Sequence, residues 1–168
     1  MWVEKLAKNI AIVGGLVLTL VALMSVISII GRAGIGIGLS PILGDFELVE
    51  AGVAFAITSF LPLAHLHRSH AQVAIFTDRL GVRANKIIDL ISDLLMLSIA
   101  LLLSWRLIAG TIDKYNYFET SFILQYPLWW AYAASLVGLL TWVIVAFYMV
   151  RKSANAILTN KDRQIERS

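Results

Sequence analysis

Residues 45–80 read DFELVEAGVAFAITSFLPLAHLHRSHAQVAIFTDRL. Acid opens the stretch, in Asp45, Glu47 and Glu50. A run of 14 uncharged residues follows, from Ala51 to Ala64. A basic, histidine-rich turn comes next, with His65, His67, Arg68 and His70. An apolar rod with acid at one end and base at the other is the pattern of a helix that crosses a membrane in a fixed direction. Residues 69–80 then set Val73, Ile75, Phe76 and Leu80 against Gln72, Thr77, Asp78 and Arg79. This amphipathic piece is too short to cross and is expected to lie along the membrane surface.

Composition extends that reading to the whole chain. The 168 residues are 59% hydrophobic and 15% charged, against about 25% charged in an ordinary soluble domain. So little polar surface cannot cover a globule in water. The apolar residues also fall in blocks, and a block near 20 residues matches a hydrocarbon core about 30 Å thick. The expected fold is all-α: a single membrane domain over residues 1–168. Its four crossings are expected at about 10–30, 45–65, 84–112 and 127–150, joined by short amphipathic interfacial segments. The chain has no cysteine, which removes disulfides and thiolate metal sites from consideration. A net charge of +3 gives no argument for nucleic acid.

The first crossing, Ile10 to Ile30, is 21 residues without a charge. That is longer than the apolar region of a signal peptide, so it is expected to be retained. Gly14 and Gly15 on this helix allow close approach of another helix. Residues 31–40, GRAGIGIGLS, resemble a phosphate loop only in glycine content. They lack a preceding strand and the Gly-Lys-Ser/Thr ending. Ser40 and Pro41 suit the start of a short surface helix. Asp45 is placed to cap the second crossing, and Glu47 and Glu50 favour its positive end. Pro62 breaks the backbone ladder near the far end, with Ser59 close enough to help satisfy it.

The third crossing has a short uncharged centre, Leu94 to Trp105. Asp89, Asp93 and Arg106 therefore fall at or inside the hydrocarbon edges. Asp89 and Asp93 share a helix face, with Lys86 and Arg83 near enough to neutralise them. Arg106 is expected to extend its head toward the surface. Residues 111–126 crowd Tyr115, Tyr117, Phe118, Phe122 and Tyr126 together. They suit an interfacial aromatic belt or a docking surface for another protein. On the fourth crossing, Ala131 with Ser135 and Ala134 with Gly138 form small-residue pairs suited to helix packing. The polar residues after Arg151 are expected to fray, with 154–158 able to extend the helix.

Eleven of the 14 Lys and Arg residues fall on one side of this layout. They lie in the N-terminal segment, the histidine turn and the C-terminal tail. The positive-inside rule then puts both termini in the cytoplasm. The connectors at 31–46 and 111–126 face outward.

No nucleophile–base pair, metal triad or cofactor fingerprint emerges from the sequence. His65, His67 and His70 form the one histidine cluster, so a membrane anchor or electron-transfer subunit using them is the alternative reading. A channel built on Asp89 and Asp93 is a further one. The residues themselves favour an accessory or scaffolding membrane subunit over an enzyme.

A family resemblance sharpens this. Gly44, Asp45, Phe46, Glu47, Leu48, Val49 and Glu50 precede an apolar helix carrying Leu61 and Pro62. His70, Val73, Asp78, Arg79 and Leu80 come after it. This pattern resembles the small membrane subunit of tripartite ATP-independent periplasmic (TRAP) transporters, the DctQ-like family. The resemblance implies a bacterial inner-membrane protein with two partners. One is a large, DctM-like elevator subunit that holds the sodium and substrate sites. The other is a DctP-like periplasmic binding protein that delivers an organic acid. No cofactor is implied for the small subunit itself. On this resemblance Asp45, Glu47, Asp113, Lys114 and Glu119 are candidates for docking the binding protein. Glu50, Asp93, Arg106, Gly14, Gly15, Ser135 and Gly138 are candidates for contact with the large subunit.

Overall fold

A computed structural model describes residues 2–67 and 81–165, with side chains described except at 81–84 and 159–165. The expected interfacial segment at 69–80, with Arg68 and His70, lies outside the described residues. Four long helices make up the rest. They are α1 (Trp2–Ala33), α2 (Asp45–Leu66), α3 (Gly81–Asn116) and α4 (Trp129–Ile165), with a 3-10 turn at Ile35–Ile37. All four are long and apolar enough to cross a membrane.

Three of the helices clearly outrun the crossings read from hydropathy. Helix α1 begins at Trp2 rather than near residue 10. Helix α3 continues to Asn116, and α4 runs on to Ile165 instead of fraying after Arg151. Charge ends the apolar span but not the helix. Residues 2–9 and 151–165 contain no glycine or proline to break it. The short helix expected at Ser40 and Pro41 does not form: the chain is irregular from 39 to 42 and turns at 43–44. The cap of α2 is also not Asp45. Gly44 takes that position with φ 73°, in the left-handed region. Leu124 packs so closely there that a Cβ would collide with it.

Helix α4 is the centre of the arrangement. It packs on both α2 and α3, while α1 packs on α2 and touches α4 lightly. Among the described residues no α2–α3 pair comes within 8 Å, Cα to Cα. The helices thus lie in the order α1, α2, α4, α3, and a groove opens between α2 and α3 with α4 as its floor. Two apolar clusters join them. Ala7, Val145 and Met149 meet Leu63 and Leu66. Ala100, Leu139 and Trp142 meet Leu61 and Met96. Most other large apolar side chains point outward, including Leu16, Leu20, Leu23 and Ile27 of α1. In hydrocarbon such exposure costs nothing, so association rests on close packing and polar contacts.

Small residues supply the close packing. A Cβ on Gly14 would lie 2.6 Å from the Ser59 Cβ. A Cβ on Gly138 would lie 2.6 Å from the Thr58 carbonyl carbon and 2.7 Å from its oxygen. That carbonyl is the one that Pro62, lacking an N–H, leaves without its usual helical donor. Ser59 does not serve the freed group as expected: its hydroxyl donates to the Phe55 carbonyl at 2.7 Å. Gly138 instead lets α4 lie directly on the interrupted turn of α2. Gly138→Val is expected to lower stability by about 1–3 kcal/mol through overpacking. Gly36→Ala, which meets nothing within 4 Å, serves as the near-neutral comparison. Thermal unfolding of both variants in detergent checks this.

Candidate functional site

The most buried polar cluster lies at the His65 end of α2. Asp93 of α3 is 3% exposed, as is His65. The Trp142 Nε1–H of α4 donates to His65 Nδ1 at 3.1 Å. An indole nitrogen only donates, so Nδ1 must accept. The neutral ring then carries its proton on Nε2, facing Asp93 Oδ1 at 3.4 Å. The Ser153 hydroxyl donates to Asp93 Oδ2 at 2.5 Å. The Trp142 and His65 rings also meet edge to face, 6.4 Å between centroids. One polar chain therefore ties α2, α3 and α4 together.

The other end of α2 holds two carboxylate clamps. Asp45 Oδ2 accepts from the Ser28 hydroxyl at 2.5 Å and from Arg32 at 3.1 Å. Ser28 Oγ in turn accepts the Ile42 N–H at 3.3 Å. Asp45 thus pins the end of α1 and its connector to the start of α2. Glu47 does the same for the second connector. Its two oxygens accept the N–H groups of Ile123 and Leu124, at 2.6 and 2.9 Å. The Tyr126 hydroxyl faces the Glu47 carbonyl at 3.4 Å. Burial, and then the negative charge of Glu47 and Glu50, pushes the Tyr126 phenol above its ordinary pKa, which keeps it a donor. Lys114 pairs with Glu119 at the base of the same connector. Backbone bonds join Ser121 to Tyr126 and Leu128 to Glu119. Two non-glycine residues, Phe118 and Gln125, are held at φ 50° and 57°. This loop is tied down at every side, yet Phe118 is 85% exposed and Phe122 is 93% exposed.

Between these ends lies the α2–α3 groove, a cleft of about 690 Å³. Glu50, Arg106, Asp113, Tyr126 and Ser135 line it together with leucines and alanines.

A family model for the DctQ component of tripartite ATP-independent periplasmic transporters matches residues 18–156. The chain belongs to this family. It is a multi-pass membrane protein and a transporter component rather than an enzyme, one part of a tripartite system with DctM and DctP partners. No match was found among curated proteins or among solved structures.

Within a DctQ component, the candidate residues sort by what they touch. Asp45 and Glu47 bind their own connectors. Asp113 is exposed beside the paired Lys114 and Glu119. Glu50 and Arg106 are exposed in the groove. Asp93 is engaged inside the chain by His65 and Ser153. Gly14 and Gly138 pack against α2 of this same chain, Gly15 only grazes the Phe60 ring at 3.9 Å, and Ser135 is buried along the groove. The histidines do not share one environment: His65 points inward and His67 is exposed, while His70 lies outside the described residues. Both His65 nitrogens are occupied, by a donor and by a carboxylate, so that ring offers no lone pair to a metal. Asp89 and Asp93 also part company. Asp89 lines a crevice with Lys86 and Lys152, and Lys86 donates to the Ala156 carbonyl at 3.1 Å. Arg83's side chain lies outside the described residues.

Trp142 and Ser153 were not singled out by sequence, and Ser28, expected to bond back to a carbonyl of the preceding turn, donates to Asp45 instead. Trp142 carried a signal nonetheless: it stands about 20 Å along the helix from Trp129, too deep for an interfacial belt, and a buried indole N–H needs an acceptor. Trp142→Phe is expected to cost about 1 kcal/mol, one buried hydrogen bond. His65→Leu is expected to cost more, about 2–3 kcal/mol, because it leaves the buried Trp142 N–H without its acceptor and takes one donor from Asp93. Denaturant unfolding in detergent, comparing the two variants, checks the order.

Proposed function

We propose that this DctQ component is a brace and a docking platform within its transporter. Both termini lie in the cytoplasm, and the connectors at 34–44 and 117–128 lie on the periplasmic side. The lysine and arginine distribution supports that orientation. The exposed apolar faces of α1 and α3 pack beside the large subunit and enlarge its fixed frame. The large subunit carries sodium and an organic acid inward, and this chain carries neither.

One observation carries the docking half of the reading: a loop fixed by Glu47 presents two nearly bare aromatic rings. Phe118 and Phe122 sit on backbone that is already ordered, so a partner would bind them at small entropic cost. Exposed aromatics on a pre-formed surface are the usual anchors of a protein interface. The binding protein is the partner that reaches this side. Asp113 and Glu119 flank the rings and give the contact its charge. Asp45 and Glu47 act one step back, by shaping the connectors rather than touching the partner.

The test is sodium-driven uptake in liposomes holding this chain and the large subunit, titrated with binding protein. Replacing Phe118 and Phe122 together by Ser is expected to raise the half-saturating binding-protein concentration by about tenfold or more. Uptake at saturating binding protein is expected to persist. An unchanged titration would remove the aromatic loop from the docking surface.

A further inference from the structure

We infer that the groove between α2 and α3 is a lipid site, shaped for one phospholipid whose headgroup carries both a phosphate and a primary ammonium. The inference starts from two charges inside crossing helices. Glu50 and Arg106 both line the groove, and neither has an ion-pair partner among the described residues. An ionisable residue within a membrane span calls for a partner. Here the acid and the base face the same cleft.

The order of groups along the groove names that partner. The acids Asp113 and Glu50 stand at the mouth, near Tyr126. Arg106 is about 10 Å deeper than Asp113 along α3. Beyond it the walls are apolar, with Ile57, Leu61, Leu103 and Leu139. Acid, then base, then hydrocarbon is the complement of ammonium, then phosphate, then acyl chain. Ser135 lies on the floor of the groove, and its buried hydroxyl finds no partner among the described residues. It is placed to donate to a phosphate or ester oxygen.

From Glu50 to Leu61 the groove runs about 16 Å, room for a headgroup and the upper part of flexible acyl chains laid along its apolar walls. The primary ammonium matters because it can donate hydrogen bonds to the two carboxylates, which a quaternary ammonium cannot.

The experiment places the purified chain in nanodiscs of equal phosphatidylethanolamine and phosphatidylcholine. Detergent extraction and native mass spectrometry then count the lipids retained. The wild-type chain is expected to keep one phosphatidylethanolamine in preference to phosphatidylcholine. Arg106→Leu is expected to lower retention about tenfold, the loss of one charge-assisted contact. Glu50→Gln is expected to erase the preference between the two lipids. Ala54→Phe, which fills the groove without altering charge, is expected to displace the lipid, and circular dichroism confirms that each variant is folded. Equal retention by wild type and all three variants would overturn the proposal. So would equal retention of the two lipids by wild type, or a large-subunit helix cross-linking from position 106 in place of lipid.

Discussion

Asp93 sits between three helices with its two oxygens turned toward His65 and Ser153. In the interior of a membrane protein no water is at hand to solvate a carboxylate, so its partners must come from the chain. That requirement fixes more than one side chain. It sets the rotation of α3 about its axis, since Asp93 must face α2. It sets the register of α4, since Trp142 and Ser153 must bracket the cluster from two positions three turns apart. It also sets the His65 tautomer, because the indole N–H claims Nδ1. Polar groups of this kind add specificity to helix association where apolar contact alone is indifferent to partner.

The opposite end of α2 follows the same logic with different chemistry. There the carboxylates of Asp45 and Glu47 meet a hydroxyl, a guanidinium and two backbone amides. From Asp45 to His65 is about 30 Å of helix, the thickness of the hydrocarbon core. Helix α2 therefore carries a polar fastening at each face of the bilayer and, between them, the glycine contacts of α1 and α4. The polar groups at both ends of α2 serve fastening, which is the physical basis for reading the chain as a brace. Glu50 and Arg106, without an ion-pair partner among the described residues, fall together on the groove between α2 and α3.

Much of this was legible in the sequence. Long uncharged blocks gave four apolar helices, and acid at one end of residues 45–65 with histidine at the other marked α2 as directional. The motif at 44–50 pointed to the DctQ family. What sequence could not supply was which groups meet. Asp93 looked like half of a pair with Asp89 because they share a face, yet its partners lie 28 and 60 residues away. Asp45 read as the cap of α2 and Glu47 as a charge favouring its start, both open to a docking partner. Their partners are fixed by the antiparallel register of neighbouring helices, which hydropathy does not encode. Helix ends were misjudged for a related reason: hydropathy reports the edge of the lipid, while a helix stops where its backbone is broken.

The account stands on Asp93 and His65 acting as a fastening rather than as part of a conducting path, and a paired substitution separates the two. His65→Leu and Asp93→Leu are made singly and together, in the chain assembled with its large subunit and binding protein. Unfolding and sodium-driven uptake are measured on each. The account predicts that each single change weakens the chain. The double change, combined with Trp142→Phe so that no buried indole N–H loses its acceptor, is predicted to recover stability relative to the single changes, as replacement of a buried polar cluster by apolar residues does, with uptake intact. A combined variant that is stable and assembled but does not transport would contradict it.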